Sequence, residues 1–205
     1  MTTAEAPVHV RFPLPDADVV LLRTLDLGMS HAECLARLLA EIEWREETVS
    51  LWGKTILQPR LVAWYGDAGA TYRYSGKTFE PKPWTPLLES LRRKVEGASG
   101  ADYNSVLLNY YRDHRDSVAM HSDDEPELGA EPTIASLSLG GTRTFVMKHR
   151  SDAARKSERI ALPSGSLLVM KGPTQRCWQH SVPKESAPCG PRVNLTFRKI
   201  VRSAR

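Results

Sequence analysis

The chain has 205 residues, 41% hydrophobic and 25% charged, which suits one globular domain with a real core and excludes a fibrous or disordered chain. No apolar run approaches the length of a membrane span, and the three cysteines, Cys34, Cys177 and Cys189, cannot all pair and lack zinc spacing. A net charge of +4 and a pI near 9.0 permit nucleic-acid binding without requiring it.

In chain order, Met1 to about Asp18 is rich in Pro and Ala and is expected to be a flexible segment. A single domain is expected over 19–205. Acidic Glu5 and the absence of a charged-then-apolar leader predict no secretion. The setting expected is cytoplasmic, nucleoid-associated in a bacterium or nuclear in a eukaryote. Val19-Val20-Leu21-Leu22 reads as a short strand. Ser30 and Glu33 form a capping box, and Leu35, Leu38, Leu39 and Ile42 follow at helical spacing to Glu43. From Thr48 to Tyr65 the residues favour β-structure, with Gly53 as a hairpin turn. Thr85 and Pro86 open a second helix whose Leu87, Leu88, Leu91 and Val95 form a stripe, stopped by Gly97.

After Tyr103 the pattern is of strands, at 104–111, 117–122, 133–140, 142–149, 157–162, 166–170 and 192–199. Helices first and antiparallel-looking strands afterwards predict an α+β fold. Its core would be a double-stranded β-helix, jelly-roll or cupin-like, with the N-terminal helices packed outside. Arg192-Val193-Asn194-Leu195-Thr196-Phe197-Arg198 alternates strictly, so Val193, Leu195 and Phe197 should face the core while Arg192, Asn194, Thr196 and Arg198 share the other face. In the strand at 104–111, Asn109 and Tyr111 point the same way.

His121-Ser122-Asp123 and His180, 57 residues beyond Asp123, supply two imidazoles and one carboxylate. Such a set holds Fe(II) on one face and leaves the opposite positions open for a chelating co-substrate and O₂. Two arginines on one strand face, starting twelve residues after His180, suit a dicarboxylate, because guanidinium and carboxylate pair through two parallel hydrogen bonds. Cα atoms six residues apart in a strand are about 20 Å apart. The arginines therefore meet the ligand from opposite ends, or one of them acts through another residue.

The runs Asn109-Tyr110-Tyr111, His121-Ser122-Asp123-Asp124-Glu125, Ile134 to Gly140, Trp178-Gln179-His180 and Pro191 to Arg198 resemble the AlkB family, Fe(II)/2-oxoglutarate dioxygenases that remove alkyl groups from nucleic-acid bases. The similarity is to the branch of the second and third human AlkB homologues and runs from about Trp52 to Ile200. It implies Fe(II) on His121, Asp123 and His180, and 2-oxoglutarate held by Asn109, Tyr111, Arg192, Asn194, Thr196 and Arg198. It also implies oxidative demethylation of bases such as 1-methyladenine and 3-methylcytosine in DNA, releasing succinate, CO₂ and formaldehyde. A monomer is expected, with a dioxygenase acting on RNA or another macromolecule as one alternative and a non-catalytic nucleic-acid binder as the other.

The resemblance places an aromatic finger at Trp52-Gly53-Lys54, where Trp52 would fill the gap left by a flipped base and Lys54 would hold a phosphate. Trp52 as a core aromatic is the competing reading. Tyr72-Arg73-Tyr74-Ser75 would supply the aromatic that stacks on the extruded base, Tyr74, with Tyr72 equally readable as a core residue. Asp124, beside Glu125, resembles the family's base-contacting acid.

Overall fold

Strict alternation from Arg192 to Arg198 produces one strand that serves two compartments. The computed structural model describes residues 9–51, 54–74 and 77–201, with 49–51, 54, 72–74 and 77–79 described by backbone alone. In chain order the elements are β1 (His9–Phe12), β2 (Asp18–Leu22), α1 (His31–Glu41), β3 (Arg45–Leu51), β4 (Lys54–Gly66), β5 (Tyr72–Tyr74), β6 (Lys77–Phe79) and α2 (Pro86–Ser99). There follow β7 (Ser105–Tyr111), β8 (Val118–His121), a 3₁₀ turn (Pro126–Leu128), β9 (Ile134–Gly140), β10 (Arg143–His149), β11 (Glu158–Leu162) and β12 (Leu167–Lys171). The last are α3 (Thr174–Cys177), β13 (Trp178–Val182) and β14 (Arg192–Arg198).

An eight-stranded sheet, ordered β1-β2-β12-β9-β14-β7-β4-β3, faces a four-stranded sheet, ordered β11-β10-β13-β8. The pairings within both are antiparallel. This is the expected jelly-roll core. Between the sheets lie Val19, Leu21, Ile134, Phe145, Met147, Leu168, Met170 and Trp178. On the other face of the large sheet, Val193, Leu195 and Phe197 join Leu38, Leu88, Leu91 and Val95 of the helices in a second cluster. Each such side chain contributes about 1.5–3 kcal/mol by leaving water.

Both helices start as their sequences dictate. Ser30 Oγ accepts from Glu33 N–H and Thr85 Oγ1 accepts from Leu88 N–H, capping α1 and α2. α2 does not stop at Gly97 as expected. It runs to Ser99 and ends on Gly100, whose φ of +68° is the left-handed conformation that glycine adopts without penalty. Gly140 ends β9 at φ +94°, where a Cβ would lie 2.2 Å from the Pro191 carbonyl oxygen, so a glycine is required for β14 to start alongside.

The segment expected to be flexible is ordered in part. Residues 1–8 lie outside the described residues, but His9–Phe12 pairs with β2, and Val10, Phe12 and Leu14 pack against the inter-sheet core. An edge strand of four residues draws its stability from that partner rather than from its own composition.

Candidate metal centre

His121 ends β8, and its neighbour β13 carries His180 directly across from it. Between the pairs His180/His121 and Val182/Val118 the register shifts, a bulge that sets two residues of β8, Ala119 and Met120, against one of β13, Ser181. The His121 Nδ1 lies 2.8 Å from the Ala119 carbonyl oxygen. A proton on Nδ1 that donates to this carbonyl leaves the Nε2 lone pair for a metal. The two imidazoles are 4.4 Å apart at their centroids, and Phe145 stacks on His180 at 5.1 Å.

Asp123 follows in the loop after β8 and is 2% exposed. Its backbone N–H donates to Gln175 Oε1 at 2.9 Å, and Ser122 Oγ donates to the Trp178 carbonyl oxygen at 2.9 Å. These two contacts tie the loop to α3 and β13, the segment that carries His180. Ligand atoms of His121, Asp123 and His180 lie within 4.8 Å of one another, a donor set that suits Fe(II) with open positions opposite.

Electrostatics prepares these groups for a cation. Burial, then the neighbouring His121, pushes His180 down to about 3, so it presents a neutral lone pair. Burial acting alone would raise the Asp123 carboxyl. Arg198 and both imidazoles outweigh it and hold the group below its ordinary value, as an anion. Arg198 Nη2 donates to Asp123 Oδ1 at 2.5 Å.

The same pocket is walled by Asn109, Tyr111, Arg192, Asn194, Thr196 and Arg198. Register explains why: Arg192 pairs with Tyr111 and Asn194 with Asn109, so β7 and β14 present these side chains on one face. Asn194 Nδ2 donates to Ser136 Oγ at 2.7 Å, and Thr196 Oγ1 donates to Asn194 Oδ1 at 2.9 Å. The two arginines lie at opposite ends. Arg198 reaches Asp123 of the candidate metal cluster. Arg192, 1% exposed, lies with its guanidinium 5.1 Å from the Tyr111 ring centre and donates through Nη2 to Ser138 Oγ. Among the described residues, its Nε and Nη1 have no hydrogen-bond partner. A buried guanidinium with two idle nitrogens fits an incoming carboxylate, since leaving it so is costly.

Arg60 was not anticipated. It reaches the pocket from β4, and its Nε donates to Asn109 Oδ1 at 2.6 Å. The available signal was its place on the inward phase of β4, shared with Trp64. Gln175 had no signal, because its role depends on a loop far away in sequence.

The expected base-contacting residues fare differently. Trp52, Gly53 and Ser75 lie outside the described residues, as do the side chains of Lys54, Tyr72, Arg73 and Tyr74. Their backbones place Lys54 at the start of β4, opposite Leu51, and Tyr72–Tyr74 in the β5–β6 hairpin. Asp124 does not wall the ligand pocket. It is exposed, pairs with Arg150 Nη1 at 2.6 Å and lines a neighbouring groove with Arg150 and Arg176. Glu125, half-buried, precedes the 3₁₀ turn.

Residues 10–198 match the family model of the 2OG-Fe(II) oxygenase superfamily. The chain is 46% identical over 174 residues to the human alpha-ketoglutarate-dependent dioxygenase alkB homolog 3, covering 81% of this chain and 60% of that one. It is 46% identical over 159 residues to the human DNA oxidative demethylase ALKBH2, covering 75% of this chain and 61% of that one. Against the Arabidopsis thaliana DNA oxidative demethylase ALKBH2 the identity is 36% over 187 residues, with 78% and 59% covered. The chain thus spans about 60% of the length of these relatives. The solved structure of OsALKBH1 superposes with a TM-score of 0.62 at 19% identity, covering 88% of this chain and 96% of that one. A 2OG-Fe(II) oxygenase family oxidoreductase from Burkholderia pseudomallei superposes at 0.56 and 15%, covering 88% and 84%. Both show the same fold.

Proposed function

This chain belongs to the AlkB family of the 2OG-Fe(II) oxygenase superfamily, and from that premise we propose that it removes N-methyl groups from damaged bases in DNA, the 1-methyladenine and 3-methylcytosine type. The family implies Fe(II) and 2-oxoglutarate, and the residues fit both. His121, Asp123 and His180 would hold the iron. Arg192, Tyr111 and Asn109 would hold the co-substrate's far end, with Asn194, Thr196 and Arg198 along its length. When bound, iron and co-substrate supply oxidation by O₂ of an N-methyl carbon, which leaves as formaldehyde while 2-oxoglutarate becomes succinate and CO₂.

The protein's own contribution is orientation. Arg198 fixes one oxygen of the Asp123 carboxylate and leaves Oδ2 facing His180, 4.0 Å from its Nε2. The Ala119 carbonyl sets the His121 tautomer. The inter-sheet core and the ring of Phe145 keep water from the buried side of His180. Trp52, which follows β3 in sequence, and Lys54, which opens β4, are proposed to enter the base stack and hold a phosphate. Tyr74 is proposed to stack on the flipped base, with Tyr72, Arg73 and Ser75 beside it. Asp124 would reach the base once released from Arg150, and Glu125 would assist it. The protein would act as a monomer wherever the nucleic acid resides.

The observation that carries this reading is the meeting, in one pocket, of a two-histidine, one-carboxylate cluster and a buried arginine with idle nitrogens. Formaldehyde and succinate release, measured with Fe(II), 2-oxoglutarate and oligonucleotides carrying 1-methyladenine, tests it. Equal release from single-stranded DNA, duplex DNA or both supports the reading. Succinate without formaldehyde from any DNA, but with formaldehyde from methylated RNA, moves the substrate to RNA.

A further inference from the structure

Arg143 opens β10 on the small sheet and is 1% exposed, yet it is not among the walls of the ligand pocket. Its Nη1 donates to the Asp113 carbonyl oxygen at 3.1 Å, and its Nη2 donates to those of Asp116 and Pro183, each at 2.7 Å. These carbonyls belong to the connection leading into β8 and to the one leaving β13, the two strands that carry the histidines. The guanidinium carbon lies 5.3 Å from the Tyr111 ring centre, and that of Arg192 lies 5.1 Å from the same ring.

Two buried guanidinium groups thus share one aromatic ring. Carbonyl dipoles solvate Arg143 but do not neutralise it. Its nearest carboxylate is Glu185, whose Oε1 lies 3.9 Å from the Arg143 Nε and accepts from Thr144 N–H at 2.7 Å. Glu185 is 24% exposed, so water weakens its compensation. Among the described residues Arg192 has no ion-pair partner, and Arg143 stands beside it as a like charge that disfavours its protonated state, after burial. If loop anchoring were the whole purpose, a neutral donor would serve without this repulsion.

We infer that Arg143 is a positioning residue of the co-substrate seat, a second cation behind Tyr111 that strengthens the pull of Arg192 on the far carboxylate without touching it. This rests on the proposed co-substrate for what fills the pocket. The field of a buried charge reaches beyond its contacts because little water lies between. Glu185 then sets how much of that field the pocket feels. The two residues therefore have opposite signs of effect, which a purely structural role would not give.

The test is calorimetric titration of 2-oxoglutarate into the Mn(II)-loaded protein without O₂, repeated with 2-oxopentanoate, which lacks the far carboxylate. Arg143→Gln should raise the 2-oxoglutarate Kd about tenfold, whereas Arg143→Lys, which keeps the charge, should stay within about threefold of the parent. Glu185→Gln keeps an acceptor for Thr144 and should tighten binding by about threefold, given its partial exposure. None of these variants should alter 2-oxopentanoate binding. Weaker binding in Glu185→Gln, or an equal loss of both ligands in Arg143→Gln, overturns the inference; if Arg143→Gln does not fold, Glu185→Gln decides. A parent that takes up no 2-oxoglutarate defeats the co-substrate reading and this inference together. A parent that binds it, with both variants unchanged, defeats this inference alone.

Discussion

Asp123 and Arg192 are both buried charges, 2% and 1% exposed, but among the described residues only Asp123 has an ion-pair partner. That difference predicts opposite responses to neutral substitution. Arg198→Met strands the Asp123 carboxylate, so the metal-free protein should lose about 3–5 kcal/mol, read as a drop in melting temperature, and should bind Mn(II) more weakly. Arg192→Met removes a cation with no counter-charge among the described residues. It should leave the metal-free protein as stable or more so, while the 2-oxoglutarate Kd rises by about 1.5–3 kcal/mol in free energy. A destabilised Arg192→Met protein that still binds 2-oxoglutarate normally would contradict the assignment of its idle nitrogens. The clustering of His121, Asp123 and His180 was legible in the sequence because few residue types can hold iron and their spacing is restrictive. Arg60 and Arg143 were not. Their importance comes from which strands lie next to β4 and β10, and a single strand's alternation says nothing of its neighbours.

At the scale of elements, β14 was readable because a period of two needs only local sequence. Its register against β7 and β9, which brings Arg192 to Tyr111 and Asn194 to Asn109, emerges only on folding. Gly97 misled the reading of α2. It faces open space, with nothing within 4 Å of a Cβ built on it, so the helix passes through it and ends where a left-handed residue is needed. β1 and α3, four residues each, lack the length for a pattern to declare itself. Two variants test elements. Leu88→Ala, at a fully buried position of α2, should cost about 2–5 kcal/mol and lower the denaturant midpoint without changing the Mn(II) affinity of the folded protein. Trp52→Ala should slow repair of duplex DNA far more than of a single strand, because only the duplex presents a stack to be filled. Equal losses on both substrates with a lowered melting temperature would place Trp52 in the core instead.

For the whole molecule, the site sets the response to acid. His180 is held at about 3, below its ordinary 6.5, so the folded protein binds fewer protons than the unfolded chain below that ordinary value. Its contribution to stability is therefore complete above pH 6.5 and declines as pH falls toward 3. The depressed carboxyl of Asp123 acts in the same direction, at lower pH. Between pH 7 and 5 the metal-free protein should lose about 2 kcal/mol, and His180→Gln should lose clearly less; parallel pH profiles would refute the linkage. A different asymmetry runs across the pocket. β14 is hydrogen-bonded along both edges, to β7 and β9, whereas β8 is the outer strand of its sheet and meets β13 in an interrupted register. Amide protons along Val193–Arg198 should therefore exchange with solvent only when the whole molecule opens, and those near His121 through fraying of an edge. The half that grips the co-substrate would outlast the half that grips the ion. Such a protein can shed its metal and take it up again around a standing template, with no need to refold.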